Sequence, residues 1–262
     1  MEDWNVALQH YFTSMRAAGR RPGTIRLHRH YLYGLANTYR RPWIVTTEDL
    51  RQELGRVHWS PETRKSARST YRSFYAWGYA SGLVESDPAV ALVAVRVPPG
   101  TPRPAPETVV ARAVRDADER IAFMAMLGAY AGLRCGEIAT VHERDLVGDT
   151  LRVDGKGGKV RTVPVVHPVL LAQLQRVRGW AFPGRTGGHL SPGHVSKLLS
   201  SALPQGWTGH TLRHRMATTA YAGTRDLLAV GAVLGHSKPE TTQRYVLLPD
   251  DALRAAMRAA AA

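Results

Sequence analysis

The chain has a single cysteine, Cys135, in 262 residues, and that scarcity excludes several possibilities at once. An internal disulfide needs two thiols, and no cysteine cluster is available to hold zinc. Long apolar runs are missing too: no stretch approaches the roughly 18 uninterrupted apolar residues of a membrane span. The first residues, MEDWNVALQHYF, are acidic where a secretory leader would be cationic and then apolar. These absences point to a soluble, intracellular protein with no membrane partner. Acidic residues are also in short supply, 21 against 35 Lys and Arg, which leaves a net charge of +14.

That charge is spread along the chain. Residues 1–97 hold 14 basic and 8 acidic residues, and 98–262 hold 21 and 13, an excess of six and of eight. Both halves suit a protein that grips a polyanion and gains affinity by counterion release. An arginine-rich composition from a GC-rich genome would look the same, so charge alone does not decide. The clearest break is RVPPGTPRPAPE at 96–107, where five prolines and a glycine stop helices and strands alike. We read three parts: a helical domain over 1–95, a semi-rigid linker over 96–106, and a second domain over 107–262.

The first domain reads as helical throughout. DWNVALQHYFTSMRAAG ends on Gly19 as a C-cap, PGTIRLHRHYLYGLANTYR follows, and TTEDLRQEL starts behind a threonine cap. SPETRKSARSTYRSFYAWGYASG opens with Ser60 at the N-cap and Pro61 at the first helical position. In that helix Arg64, Arg68 and Arg72 fall at i, i+4 and i+8 with Lys65 beside them, and the apolar residues lie mostly opposite. Arg20, Arg21, Thr24 and Arg26 offer a second cationic edge, with Arg29 next to it. A solvated charged face is the bland reading; two such faces in one small bundle tilt toward a DNA saddle.

After the linker, PETVVARAVRDADERIAFMAMLGAYAG predicts two helices and LRCGEIATV the start of another. TLRVDGKGGKVRTVPV changes period: alternating apolar residues around GKGG predict a β-hairpin. HPVLLAQLQRV, SPGHVSKLLSSAL, TLRHRMATTAYAG, DLLAVGAVLG, PETTQRYV and DDALRAAMRAA then return to helix. The expected fold is mainly α, a helical N-terminal domain followed by a mainly helical domain with one small antiparallel sheet.

Chemistry has to come from a few unusual stretches. GHTLRH, at 209–214, places His210 and His214 one helical turn apart with Arg213 between them. The spacing resembles a zinc helix, but no glutamate follows His210 and Arg213 would repel a cation, so a metal is not expected. No G-x-S-x-G elbow is present, and GKGGK sits in a hairpin without the P-loop pattern. An anion clamp makes better use of Arg213, because a guanidinium binds phosphate bidentately. AGLRCGEI offers a second arginine, Arg134, and TTQRYV a nucleophile, Tyr245, after a third histidine, His236.

GLRCGE, GKGGKVRTVP, HTLRH, LGH and TTQRY occur in the order seen in the tyrosine recombinase (phage integrase) family, which the chain resembles over about 107–250. His210 precedes Arg213 by three residues and His236 by 26, and Arg213 precedes Tyr245 by 32. The resemblance implies that Arg134 and Arg213 bind the non-bridging oxygens of a scissile phosphate. It makes Tyr245 the nucleophile of a 3′-phosphotyrosyl bond and Lys156 the acid that protonates the departing 5′-oxygen. His210 would act as general acid/base on the tyrosine proton, His236 would donate to a phosphate oxygen, and Glu137 would support them from behind. A tyrosine with a pKa of about 10 needs such cationic neighbours to attack near neutral pH. Covalent storage of the bond energy removes the need for ATP, and these cations remove the need for metal, so no cofactor is expected.

The same resemblance makes the helical domain a core-site DNA-binding domain, and the partner double-stranded DNA bound by a homotetramer on two duplexes. The setting it implies is the cytoplasm of a bacterial host, at the nucleoid. Helices that begin within the first few residues suggest a minimal integrase of phage or mobile-element type, with no arm-binding domain and short core sites. DDALRAAMR reads as a docking tail for a neighbouring protomer, and the Ala-Ala end resembles tags recognised by bacterial AAA+ proteases. A frayed helix end explains that terminus equally well. Xer-like dimer resolution would use identical chemistry. A type IB topoisomerase and a DNA-binding module without catalysis are the rival readings.

Overall fold

The computed structural model describes residues 3–98, 100–155, 158–235 and 258. The chain divides into two compact units, Met1–Pro99 and Gly100–Ala262. Among the described residues no helix is long and apolar enough to cross a membrane.

The first unit holds α1 (Trp4–Ala17), α2 (Pro22–Thr38), α3 (Thr47–Leu54) and α4 (Pro61–Ala80), with a 3-10 turn at Pro42–Ile44. Local signals set their ends. Asp3 and Ser60 cap α1 and α4 through side-chain oxygens, and Thr46 and Asp49 cap each other's amides at α3. The helices close on an aromatic core. Phe74 stacks between Trp4 and Trp43 at centroid distances of 5.7 and 5.3 Å, and Tyr11 meets it edge-on at 5.2 Å. Gly78 admits Trp43, since a Cβ there would lie 2.6 Å from its ring.

The second unit contains α5 (Glu107–Asp116), α6 (Glu119–Tyr130), α7 (Cys135–Ala139), α8 (Pro168–Arg176), α9 (Pro192–Ala202), α10 (Gly209–Thr224) and α11 (Leu227–Leu234). Its sheet has β1 (Leu146–Val147), β2 (Thr150–Asp154) and β3 (Val160–Pro164), antiparallel in that order. The β2–β3 register runs from Thr150 opposite Pro164 to Asp154 opposite Val160, so the two strands pair as the expected hairpin, with the Gly155 amide donating to the Lys159 carbonyl at 2.7 Å. β1 and the 3-10 turn at Glu143–Asp145 have no counterpart in the sequence reading, because two- and three-residue elements are too short to display a period. The core is built around α6, whose residues Ala122–Ala129 are all buried. Gly128 lets α10 approach closely: a Cβ there would stand 3.2 Å from Leu212 Cβ. The architecture is mainly helical with one small antiparallel sheet. The expected helices at PETTQRYV and, apart from residue 258, DDALRAAMRAA lie outside the described residues.

Candidate functional site

The site is built around one carboxylate. Glu137, in the first turn of α7, is 6% exposed and accepts hydrogen bonds on both oxygens. Oε1 receives Arg134 Nη1 at 2.8 Å and Arg161 Nη1 at 2.9 Å. Oε2 receives the Arg134 amide and Arg161 Nη2, each at 2.9 Å, with Arg213 Nη1 3.6 Å away. Burial is the largest influence on this carboxyl and would raise its pKa. The Arg161 hydrogen bonds, the Arg134 amide and the charges of Arg161 and Arg213 together outweigh it and hold the group at about 2. Three arginines from three elements are thus gathered on one anion.

Each arginine is held differently. Arg134 is the N-cap of α7, and 39% of its side chain stays open to solvent. Arg213 lies on the second turn of α10 and is fully buried. It donates Nη1 to the Gly132 carbonyl and Nη2 to the Leu234 carbonyl, the latter at 2.6 Å. Gly132 has φ +66°, and a Cβ there would run into Met216, so glycine is required in AGLRCGE. Arg161, on β3, sends Nε to the Val233 carbonyl at 2.6 Å. Arg161 and Arg213 therefore both end on carbonyls at the C-terminus of α11, where cations are favoured. Gly235 leaves room for this, with φ +65° and a would-be Cβ 2.8 Å from Arg161 Cδ.

His210 stands one turn before Arg213 on α10, exposed at the helix start. The helix begins there because the Thr208 amide is taken up by Thr211 Oγ1 at 3.0 Å. Desolvation, then the charges of Arg213 and Arg134, push His210 below its ordinary value, which keeps it neutral and able to accept a proton near pH 7. Its ring meets that of His214 at 4.3 Å between centroids and 64° between planes. Cys135 is half-buried with its thiol pKa raised, chiefly by burial, which suits a packing residue.

The structure thus brings Arg134, Glu137, His210 and Arg213 together. Lys156, His236 and Tyr245 lie outside the described residues. Arg161 is the member that sequence reasoning passes over: it sits in GKGGKVRTVP, but its partners are distant in sequence. Two arginines and a neutral imidazole at the starts of α7 and α10 can neutralise an oxyanion and exchange a proton beside it.

In the first unit, Arg20, Arg21, Thr24 and Arg26 are all exposed, and Arg16, Arg20, Arg26 and Arg29 share a shallow pocket of about 340 Å³. On α4, Lys65 is exposed, but its arginines turn toward the protein's own backbone. Arg68 donates Nε and Nη2 to the Leu92 carbonyl at 3.0 and 2.6 Å. Arg72 reaches Val90 O at 3.0 Å and Arg64 reaches Arg56 O at 3.1 Å.

Residues 107–250 match the phage integrase family. The chain is 36% identical over 208 residues to the tyrosine recombinase XerC of Xanthomonas campestris pv. campestris, an overlap of 72% of this chain and 65% of that protein. It is 28% identical over 274 residues to the XerC of Chromobacterium violaceum, covering 92% of this chain and 90% of that one. The crystal structure of lambda integrase (75–356), a dimer bound to a COC′ core site, superposes with a TM-score of 0.75 at 17% identity, over 93% of this chain and 95% of that chain. This last likeness is one of fold. The chain belongs to the phage integrase family, and it spans about two thirds of the length of the first of these relatives.

Proposed function

We propose that the protein is a tyrosine-type site-specific DNA recombinase that cleaves and rejoins DNA through a 3′-phosphotyrosyl intermediate at Tyr245. The observation that carries the reading is the convergence of Arg134 and Arg213 on Glu137, with His210 one turn from Arg213. In it Arg134 and Arg213 bind the scissile phosphate, His210 takes the tyrosine proton, and Lys156 and His236 serve the leaving oxygen and a phosphate oxygen. Arg213 is enclosed in the protein alone, so the reading requires DNA docking to open a path to it. The first unit grips core-type sites through Arg20, Arg21, Thr24, Arg26 and Lys65, whereas Arg64, Arg68 and Arg72, expected on the same face, are engaged by the unit's own carbonyls. Four copies assemble on two duplexes; lambda integrase, of the same fold, forms a tetramer bound to a Holliday junction. Integration of a phage or mobile element at short core sites is the role we favour. Dimer resolution is the second reading: it would use identical chemistry, and two relatives matched over most of the chain are named tyrosine recombinase XerC.

The test incubates labelled DNA flanking the gene with wild type and Tyr245→Phe in EDTA, then looks for an SDS-resistant protein–DNA adduct. An adduct from wild type alone supports the reading. Salt-sensitive binding without an adduct, on several sites and nicked trapping substrates, would leave a DNA-binding module. Relaxation of non-specific supercoiled DNA would point instead to a topoisomerase. Recombination that depends on long flanking arms would remove the minimal-site assignment.

A further inference from the structure

Residues 103–105, just ahead of α5, lie against the first turns of α10. The Arg103 amide donates to His214 Nδ1 at 3.1 Å, and the Ala105 amide to the Thr211 carbonyl at 3.0 Å. The Arg103 guanidinium stacks over Trp207, 4.6 Å from the ring centroid, and crosses Gly206, where a Cβ would stand 3.0 Å from Nη2. The strap is therefore held by its own backbone and, separately, by one side chain. An imidazole nitrogen accepts from an amide only while it lacks a proton. Desolvation, then the charges of His210 and Arg213, hold His214 down at about 4, so the acceptor persists at neutral pH. Accepting at Nδ1 places the ring proton on Nε2 and fixes the ring's orientation. The same ring packs edge-to-face on His210 at the start of the helix.

We propose that His214 is a positioning residue, through which the seating of the 103–105 strap sets the orientation of the His210 ring. The inference rests on the reading of His210 as the group that handles the tyrosine proton. It gives the segment entering the second unit a direct path, one hydrogen bond and one ring contact long, to a reacting group. A small misplacement of such a group costs one to two orders of magnitude in rate.

The experiment separates the strap's backbone from its side chain in the full-length protein. Arg103→Pro deletes the amide donor, whereas Arg103→Ala keeps it and removes the guanidinium. His214→Asn keeps an acceptor but no ring. On a nicked trapping substrate, R103P and H214N should each cut about tenfold more slowly once DNA is bound, with DNA affinity within twofold of wild type. R103A should stay within twofold of wild type, and R103P/H214N should be no slower than H214N alone. In ¹⁵N-histidine spectra of the protein without DNA, R103P should shift the His210 and His214 ring resonances, and R103A should leave them in place. Additive losses, an R103A as slow as R103P, or a His210 resonance unmoved by R103P overturns the inference. Should wild type form no adduct anywhere, the catalytic reading of His210 fails by itself, and the spectra still decide whether the strap positions its ring.

Discussion

Replacing Glu137 by Gln tests whether one buried carboxylate holds the site together. Glutamine keeps the shape and one acceptor oxygen but turns an NH₂ toward existing donors. Facing Oε1's partners, it opposes Arg134 Nη1 and Arg161 Nη1; facing Oε2's, it opposes the Arg134 amide and Arg161 Nη2, with Arg213 nearby. Either orientation loses at least two hydrogen bonds and leaves two nearly buried guanidinium groups without their counter-charge. The pKa gives the scale. A carboxyl moved from 4.5 to about 2 by folding corresponds to about 3 kcal/mol of stability at pH 7. Breaking a buried ion pair from one side costs about 3–5 kcal/mol, the same range.

The pH dependence provides an independent check on that magnitude. The folded pKa is depressed, so this contribution is present in full above about 4.5 and is lost as pH falls toward 2. Between pH 7 and pH 4 wild type should lose about 0.8 kcal/mol through this group, and E137Q should lose nothing through it. Urea unfolding of both full-length proteins by circular dichroism at the two pH values measures the gap. Alkylation of Cys135 at pH 7 identifies which transition belongs to the second unit. A gap below about 1 kcal/mol at pH 7, or one that does not narrow by pH 4, would refute the reasoning.

His214 should add a second acid sensitivity: its folded pKa lies near 4 against an ordinary 6.5, so its contribution is complete above 6.5 and fades as pH drops toward 4. Partial exposure reduces the full linkage value to about 1–2 kcal/mol, and H214N should flatten that part of the stability–pH curve. Gly209→Ala would place a Cβ 2.8 Å from Cys135 Sγ and 3.0 Å from Leu199 Cδ1, lowering stability by about 1–3 kcal/mol. Cys135→Ala in the same chain should restore part of it, as read by thermal unfolding. In the first unit, Arg68→Ala should cost about 1–2 kcal/mol in urea unfolding through its lost bonds to Leu92. Arg26→Ala should leave stability within about 0.5 kcal/mol, weaken DNA binding on all sequences, and reduce the salt slope by about one.

Helix ends were legible in the sequence where the signal is local. Ser60–Pro61 at α4, Thr46 at α3 and the glycine after α1 each act within a few residues of themselves, and the observed helices begin or end beside them. Arg134, His210 and Arg213 could be singled out because each sits at a helix start or within its first two turns in a short motif, and Glu137 because the motif resembles the family's. Arg161 carries no such mark. Its carboxylate partner is 24 residues earlier and its carbonyl partner 72 later, so only the folded chain puts them on one guanidinium.

The arginine row on α4 illustrates the converse limit. Spacing of i, i+4 and i+8 places Arg64, Arg68 and Arg72 on one face, and the helix has that face. Periodicity reports which residues share a face, however, and not what the face meets. Here the chain after α4 returns along it, and Leu92 and Val90 offer carbonyls that a guanidinium satisfies better than water would leave them. At α2 no described carbonyl competes for Arg20 or Arg26, and the cations stay at the surface. A cationic helix face in a basic protein is thus two surfaces in principle, one for the polyanion and one for the protein's own unpaired carbonyls. In this unit the exposed arginines at the start of α2 remain available to the first kind, and Arg68 is committed to the second.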